Sequence, residues 1–196
     1  MSNSSKARLV LLFHPYHYRQ TMNTFLCSLF ILSLTVSCKG QIDWANDYDG
    51  QLYFECPAGS AITHIQSIHD NKHEDRIWGF ECSESEFVFD SCAWTGYVNN
   101  FDETFVYECT AGAGIITGME SEHDNHSEDR RWSYKCCQAV GTCYHDCHFT
   151  PFINDLDNPM DYTVQDGYMI AGVESEHDNH SEDRKWRLQL CKVQTC

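Results

Sequence analysis

Alternating apolar and polar positions and short apolar runs dominate the chain after residue 40, and no segment shows sustained helical periodicity. Three alternating segments occur at 77–82, 131–136 and 185–190, each starting beside an arginine. Each follows another β-like run, at 61–65, 115–119 and 169–173. Two earlier strand-like segments occupy 51–56 and 104–109. The pattern predicts an all-β protein whose strands bury one face.

One polar motif lies between the paired runs and occurs three times. Residues 121–130 and 175–184 have the same ten-residue sequence, and a looser copy occupies 67–76. The arginine that ends each copy recurs every 54 residues, and a tryptophan follows it two positions later. Three such units, at about 50–90, 100–140 and 160–196, are too small to fold separately. We expect them to close around a pseudo-threefold axis in a β-prism-like fold, with a β-trefoil as the alternative.

The N-terminal segment predicts export. Residues 25–36 are apolar and uncharged, too short to cross a bilayer but suited to a signal peptide. Cys38 and Gly40 are small residues at the −3 and −1 positions of a cleavage before Gln41. We therefore expect residues 1–40 to be a signal peptide and 41–196 a single secreted domain. Met22 is an alternative start.

Cysteine content and charge narrow the function classes. Ten of the 12 cysteines follow residue 40, which in a secreted chain predicts a disulfide framework. The formal net charge of −16 argues against nucleic acid as a partner. No further apolar run is long enough to predict a membrane span.

The residues around the first motif resemble the dermatopontin family. The resemblance rests on the segment from Asp49 to Gly59, on His69-Asp70-Asn71, and on Glu74 to Trp78. The doubled Cys136-Cys137 also fits, and the similarity covers nearly all of 42–196, closest to invertebrate agglutinating members. Membership implies a secreted protein of matrix adhesion or agglutination.

The resemblance also implies a disulfide pairing, which the residues alone leave open. The implied bridges are Cys56–Cys82, Cys92–Cys136, Cys109–Cys137, Cys143–Cys196 and Cys147–Cys191.

The tips of the three polar motifs are the candidate ligand-binding residues, because carboxylates, amides and imidazoles can hydrogen-bond sugar hydroxyls. These residues are His69, Asp70, Asn71, His123, Asp124, Asn125, His177, Asp178 and Asn179. The alternative is that the Asp-Asn pairs only form turns. We further predict structural ion pairs within each loop, formed by Asp75 and Arg76, Asp129 and Arg130, and Asp183 and Arg184.

Other chemistry has less support. Asn125 and Asn179 begin glycosylation sequons, and the three repeated tryptophans are expected in the core. No cofactor and no metal site are expected. Calcium is an open alternative at the oxygen-rich loops, and zinc is weakly indicated because no ligand spacing repeats like a finger. No catalytic motif is present, and triplicated loops favour binding over catalysis.

We therefore expect a secreted, lectin-like agglutinating protein that binds cell-surface or matrix glycans, with a role in defence. The alternative is a structural matrix protein that binds collagen, proteoglycan or adhesion receptors. Homo-oligomerisation is left open by the sequence.

Overall fold

Every regular element of the computed structural model is a β-strand within the residues it describes, 43–109 and 114–196. The predicted signal peptide lies outside these residues. The strands are β1 (Leu52–Glu55), β2 (Ser60–Asp70), β3 (Asp75–Glu84), β4 (Phe89–Trp94), β5 (Phe105–Glu108), β6 (Ile115–Asp124), β7 (Asp129–Ala139), β8 (Thr142–Phe149), β9 (Met160–Thr163), β10 (Tyr168–Asp178) and β11 (Asp183–Thr195). The predicted all-β class is confirmed.

The strands form three antiparallel sheets, each centred on one hairpin. The sheet orders are β3-β2-β9, β1-β6-β7-β4 and β5-β10-β11-β8. The short strand that precedes each hairpin in sequence does not join that hairpin. Instead β1 pairs with β6, β5 with β10 and β9 with β2, so each short strand is passed to the next sheet around the ring.

The polar motif is mostly strand, not loop. In the first copy, His69 lies opposite Arg76 and Asp70 opposite Asp75, so only residues 71–74 form the turn. The other two copies have the same register. The last turn residue has a left-handed backbone each time, with φ of 46° at Glu74, 45° at Glu128 and 44° at Glu182. The motif histidines and arginines are therefore held by strand pairing.

The core lies between the sheets, around three tryptophans that the sequence predicted to be buried. Trp78, Trp132 and Trp186 expose 4% or less of their surface and meet edge to face, with ring centroids 4.7–5.3 Å apart. Apolar residues two positions further along each strand, Phe80, Tyr134 and Leu188, are also buried. Burying each large side chain contributes about 1.5–3 kcal/mol, so this cluster is central to stability.

Five disulfides are present, and two differ from the pairing that the resemblance implied. Cys92 bonds Cys137, and Cys109 bonds Cys136. Adjacent cysteines on a strand point to opposite faces, so each can reach only one neighbour. Cys136 occupies the position of Cys82 in the first copy, six residues after the arginine, and the two bridges span similar Cα distances, 5.6 and 5.8 Å.

The remaining bridges agree with the implied pairing: Cys56–Cys82, Cys143–Cys196 and Cys147–Cys191. Cys92–Cys137 and Cys147–Cys191 are again equivalent, with Cα distances of 4.0 and 4.1 Å. The repeat register therefore accounts for four of the five bridges.

Candidate functional site

Three arginine–aspartate pairs form a closed ring where the three hairpin turns meet, and we call this the ion-pair ring. Each arginine donates from Nε and Nη2 to both carboxylate oxygens of one aspartate, at 2.6–2.7 Å. The pairs are Arg76 with Asp183, Arg130 with Asp75, and Arg184 with Asp129.

The prediction that each arginine pairs within its own loop is wrong. Asp75 and Arg76 are consecutive strand residues whose side chains diverge, so each guanidinium reaches the preceding hairpin around the ring instead. Burial alone would raise the pKa of Asp183, but the hydrogen bonds and positive charge of Arg76 lower it overall. The ring thus links the three sheets through buried, bidentate contacts.

The aspartates at the hairpin tips act within their own turns. Asp70 Oδ1 accepts the backbone N–H groups of Lys72 and His73, and Asp124 and Asp178 accept the equivalent pairs. These backbone hydrogen bonds lower the pKa of all three aspartates. The turn-forming alternative therefore describes these aspartates, while Asn71, Asn125 and Asn179 are exposed, and their contact with a ligand stays a prediction.

The motif histidines are enclosed, which corrects the prediction that they meet a ligand in solvent. The side chains of His69, His123 and His177 are 0% exposed, because strand register turns them inward beside the ion-pair ring. Each lies within 4 Å of two aspartates, giving three equivalent groups of one histidine and two aspartates. The groups are His69 with Asp157 and Asp183, His123 with Asp49 and Asp75, and His177 with Asp102 and Asp129.

Three glutamates stand at the mouth of a small cavity above the indole rings. Glu74, Glu128 and Glu182 line it together with the ion-pair ring and the three tryptophans. The cavity volume is only about 20 Å³, enough for a water molecule but not a saccharide. Burial, and then repulsion from neighbouring acids, raises the pKa of Glu128 and Glu182, although the nearby histidines oppose the shift.

A second set of equivalent residues lies on the outside of the molecule. Trp44, Tyr97 and Phe152 expose 37%, 43% and 39% of their surface. The residue after each donates its backbone N–H to the carbonyl of a core tryptophan, at 2.6–2.8 Å. The second residue after each is a buried asparagine that hydrogen-bonds the same strand. These shared contacts show that the three rings, which we call the aromatic platforms, occupy one structural position.

Charged side chains flank two of the platforms. The guanidinium carbon of Arg131 lies 4.5 Å from the Tyr97 ring centroid, and the Tyr97 hydroxyl donates to Glu122 at 2.8 Å. Burial and this hydrogen bond raise the pKa of Tyr97 to about 12, which keeps it neutral. Lys185 and Arg187 lie 5.8 and 5.4 Å from the Phe152 ring.

The first platform has a different setting. The cross-strand pair Glu122 and Arg131 of the second sheet corresponds to Ile68 and Ile77 in the first. Ile68 is 38% exposed, so an apolar surface replaces the ion pair at this position.

Sequence reasoning did not find the platforms. The three residues are different amino acids, and their spacings of 53 and 55 differ from the 54-residue period of the motif. The sequence did contain a signal for the platforms, because an asparagine follows each of them two residues later, at Asn46, Asn99 and Asn154.

Comparison with known proteins agrees with this architecture. The Dermatopontin family matches residues 46–196, which include all eleven strands. The chain belongs to the dermatopontin family. No solved structure matches the chain.

Three relatives show what the family includes. The chain is 44% identical over 155 residues to the hemagglutinin/amebocyte aggregation factor of Limulus polyphemus, covering 78% of this chain and 89% of that protein. It is 40% identical to a dermatopontin of Biomphalaria glabrata, covering 71% and 93% respectively. It is 35% identical to Millepora cytotoxin-1 of Millepora dichotoma, covering 74% and 65%.

Proposed function

We propose that this dermatopontin-family member is a secreted agglutinating protein that binds neutral cell-surface or matrix glycans at the three aromatic platforms. The observation that carries the proposal is the repetition of one half-exposed aromatic ring at equivalent positions of three sheets. Aromatic faces pack against the apolar faces of sugars, and neighbouring charged groups can hydrogen-bond hydroxyls.

Multivalency links this arrangement to agglutination. A single weak site holds one glycan, whereas three sites on different sheets let one molecule engage two surfaces. The hemagglutinin relative from Limulus supports this function. The net charge of −16 disfavours strongly anionic chains, so we expect neutral sugars to compete best.

Other features support secretion and a binding role. Five disulfides favour an oxidising, extracellular location, and the described residues contain no helix long and apolar enough to cross a bilayer. We infer a non-enzymatic role, because three equivalent exposed sites suit multivalent binding, whereas catalysis usually needs one asymmetric constellation of residues.

Agglutination of erythrocytes by the purified secreted protein, with and without competing sugars, tests the proposal. We expect a simple neutral sugar to abolish agglutination. Binding to collagen that no sugar inhibits would instead favour the matrix role suggested by the dermatopontin relatives.

Substitution of the platforms sharpens the test. Replacing two of Trp44, Tyr97 and Phe152 with alanine should abolish agglutination while single-site glycan binding persists, because one site cannot bridge two cells. Replacing all three should abolish both. Val140→Ala is the matched control, since Val140 is 54% exposed and follows the end of β7, nine residues along the chain from Arg131. Full glycan binding by the triple variant would exclude the platforms as the site.

A further inference from the structure

The three enclosed histidines have no role in the proposed glycan binding, yet each has a buried ring nitrogen without a hydrogen-bond partner among the described residues. In the second copy, His123 Nδ1 lies 3.3 Å from Asn125 Oδ1, and in the third copy His177 Nδ1 lies 3.1 Å from Asn179 Oδ1. An amide oxygen only accepts, so Nδ1 carries the hydrogen in both rings. In the neutral imidazole, Nε2 then holds a bare lone pair.

This Nε2 lone pair faces carboxylates and has no hydrogen-bond partner in either site. His123 Nε2 lies 4.0 Å from Asp75 Oδ1 and 3.9 Å from Glu128 Oε2. His177 Nε2 lies 3.8 Å from Asp129 Oδ1 and 3.7 Å from Glu182 Oε2. These separations are too long for a direct hydrogen bond. A lone pair buried against two anions is unfavourable unless Nε2 takes up a proton or a metal cation lies between them.

The local charge favours such a cation. Each arginine of the ion-pair ring balances the charge of one aspartate. Two further carboxylates lie beside each histidine: Asp49 and Glu128 beside His123, and Asp102 and Glu182 beside His177. Among the described residues, Asp75 Oδ1 accepts only Arg130 Nε, and Asp129 Oδ1 only Arg184 Nε, so each oxygen keeps a free lone pair.

We propose that His123 and His177 each bind a divalent transition-metal ion through Nε2, together with the neighbouring aspartate and glutamate. One imidazole nitrogen with carboxylate oxygens suits zinc or manganese, whereas calcium takes oxygen ligands. Zinc ligands at about 2.1 Å in tetrahedral geometry lie about 3.4 Å apart, so each of these oxygens needs to move only a few tenths of an ångström towards Nε2. Glu128 and Glu182 are 33% and 28% exposed and able to make this movement.

The first copy differs and serves as an internal comparison. Among the described residues, both nitrogens of His69 lack a hydrogen-bond partner, and neither Asn71 nor Glu74 contacts His69 as its equivalents contact His123 and His177. Its Nδ1 faces Asp157 and Asp183 at 3.9 and 3.8 Å, but Asp183 Oδ2 already accepts two hydrogen bonds. We expect two tight sites and a weaker third. This departs from the sequence-based expectation that the chain takes no metal.

Titration of the chelator-treated secreted protein with ZnCl₂ in a calorimeter tests the proposal. We expect two equivalents to bind tightly. The His123→Gln/His177→Gln variant should lose both, and Glu128→Gln/Glu182→Gln, which retains the buried imidazoles, should weaken them by about 10- to 100-fold. The matched control is His126→Gln/His180→Gln, which removes exposed histidines from the same turns and should bind zinc like the wild type.

Three results would overturn the proposal. One is zinc binding that survives in His123→Gln/His177→Gln but is lost in the His126→Gln/His180→Gln control. Another is calcium binding more tightly than zinc at these residues. The third is nitrogen NMR that shows both ring nitrogens of His123 protonated at saturating zinc, since a proton then provides the balancing charge. Because glycan binding uses other residues, none of these results bears on the proposed function.

Discussion

The ion-pair ring and the aromatic platforms occupy equivalent positions in three sheets, yet they have diverged to different degrees. All three ring positions hold the same Asp-Arg pair, and each arginine contacts the preceding copy around the ring with the same geometry. The platform positions hold a tryptophan, a tyrosine and a phenylalanine, with different flanking residues. A ring residue must fit both its own strand and the neighbouring sheet, whereas a platform side chain is partly exposed and contacts flanking residues of its own sheet. The amino acid has therefore changed less between copies at positions that contact a second sheet than at positions that contact only their own.

Removing one arginine from the ring should give the largest effect. Arg130→Ala leaves Asp75 buried without its partner, and breaking such a pair costs about 3–5 kcal/mol. We expect the free energy of unfolding in urea to fall by that amount, with poor secretion. A loss below about 1 kcal/mol would show that the ring is not the structural link described above.

Breaking an outer disulfide should have the next largest effect and also tests the corrected pairing. Cys92→Ser should destabilise the protein by about 2–4 kcal/mol, because the bridge closes a long loop in the unfolded chain. Alkylation followed by fragmentation mass spectrometry should find the free thiol at Cys137. A free thiol at Cys136 would restore the pairing that the resemblance implied.

Acid should weaken the ring without any substitution. The pKa of Asp183 is lowered in the folded protein, so the stabilisation is fully present above the unfolded value of about 3.9 and is lost as the pH falls through the folded value. We expect the melting temperature to decline below about pH 4. Asp183→Asn should be less stable at pH 7 and should decline less on acidification; an unchanged acid profile would contradict this account.

Substitution beside a platform should have the smallest effect on stability. Arg131→Ala removes a partly exposed pair with Glu122 next to Tyr97, and such pairs contribute about 0–1 kcal/mol. Because Arg131 is the residue next to Arg130 in the sequence, Arg131→Ala is the matched control for Arg130→Ala. A loss approaching that of Arg130→Ala would show that the outer position is as constrained as the ring.

Much of the fold could be predicted because it depends on local pattern. The alternation at 77–82 and its copies located three strands and the buried tryptophans, and the repeated motif located the three hairpins. The strands β4, β8 and β9 were missed, because they lie outside the repeated hairpins and β9 also follows a turn-rich segment.

The contacts between copies were beyond local pattern. The motif showed that Asp75 and Arg76 would be charged and close in sequence, but not that their side chains would diverge towards different sheets. The motif histidines were expected outside because they lie among polar residues, whereas strand register turns them inward. The disulfide pairs could have been assigned from the repeat register, which equates Cys136 with Cys82.

The passing of each short strand to the next sheet has an evolutionary consequence. In a chain with only one unit, the short strand would have no partner and one edge of the hairpin would be unpaired. Three identical chains arranged in a ring would pair each short strand with the hairpin edge of the next chain. The ancestor of such a molecule would then be a homotrimer in which every subunit lends a strand to its neighbour. Gene triplication would turn that assembly into a single polypeptide without altering one interface.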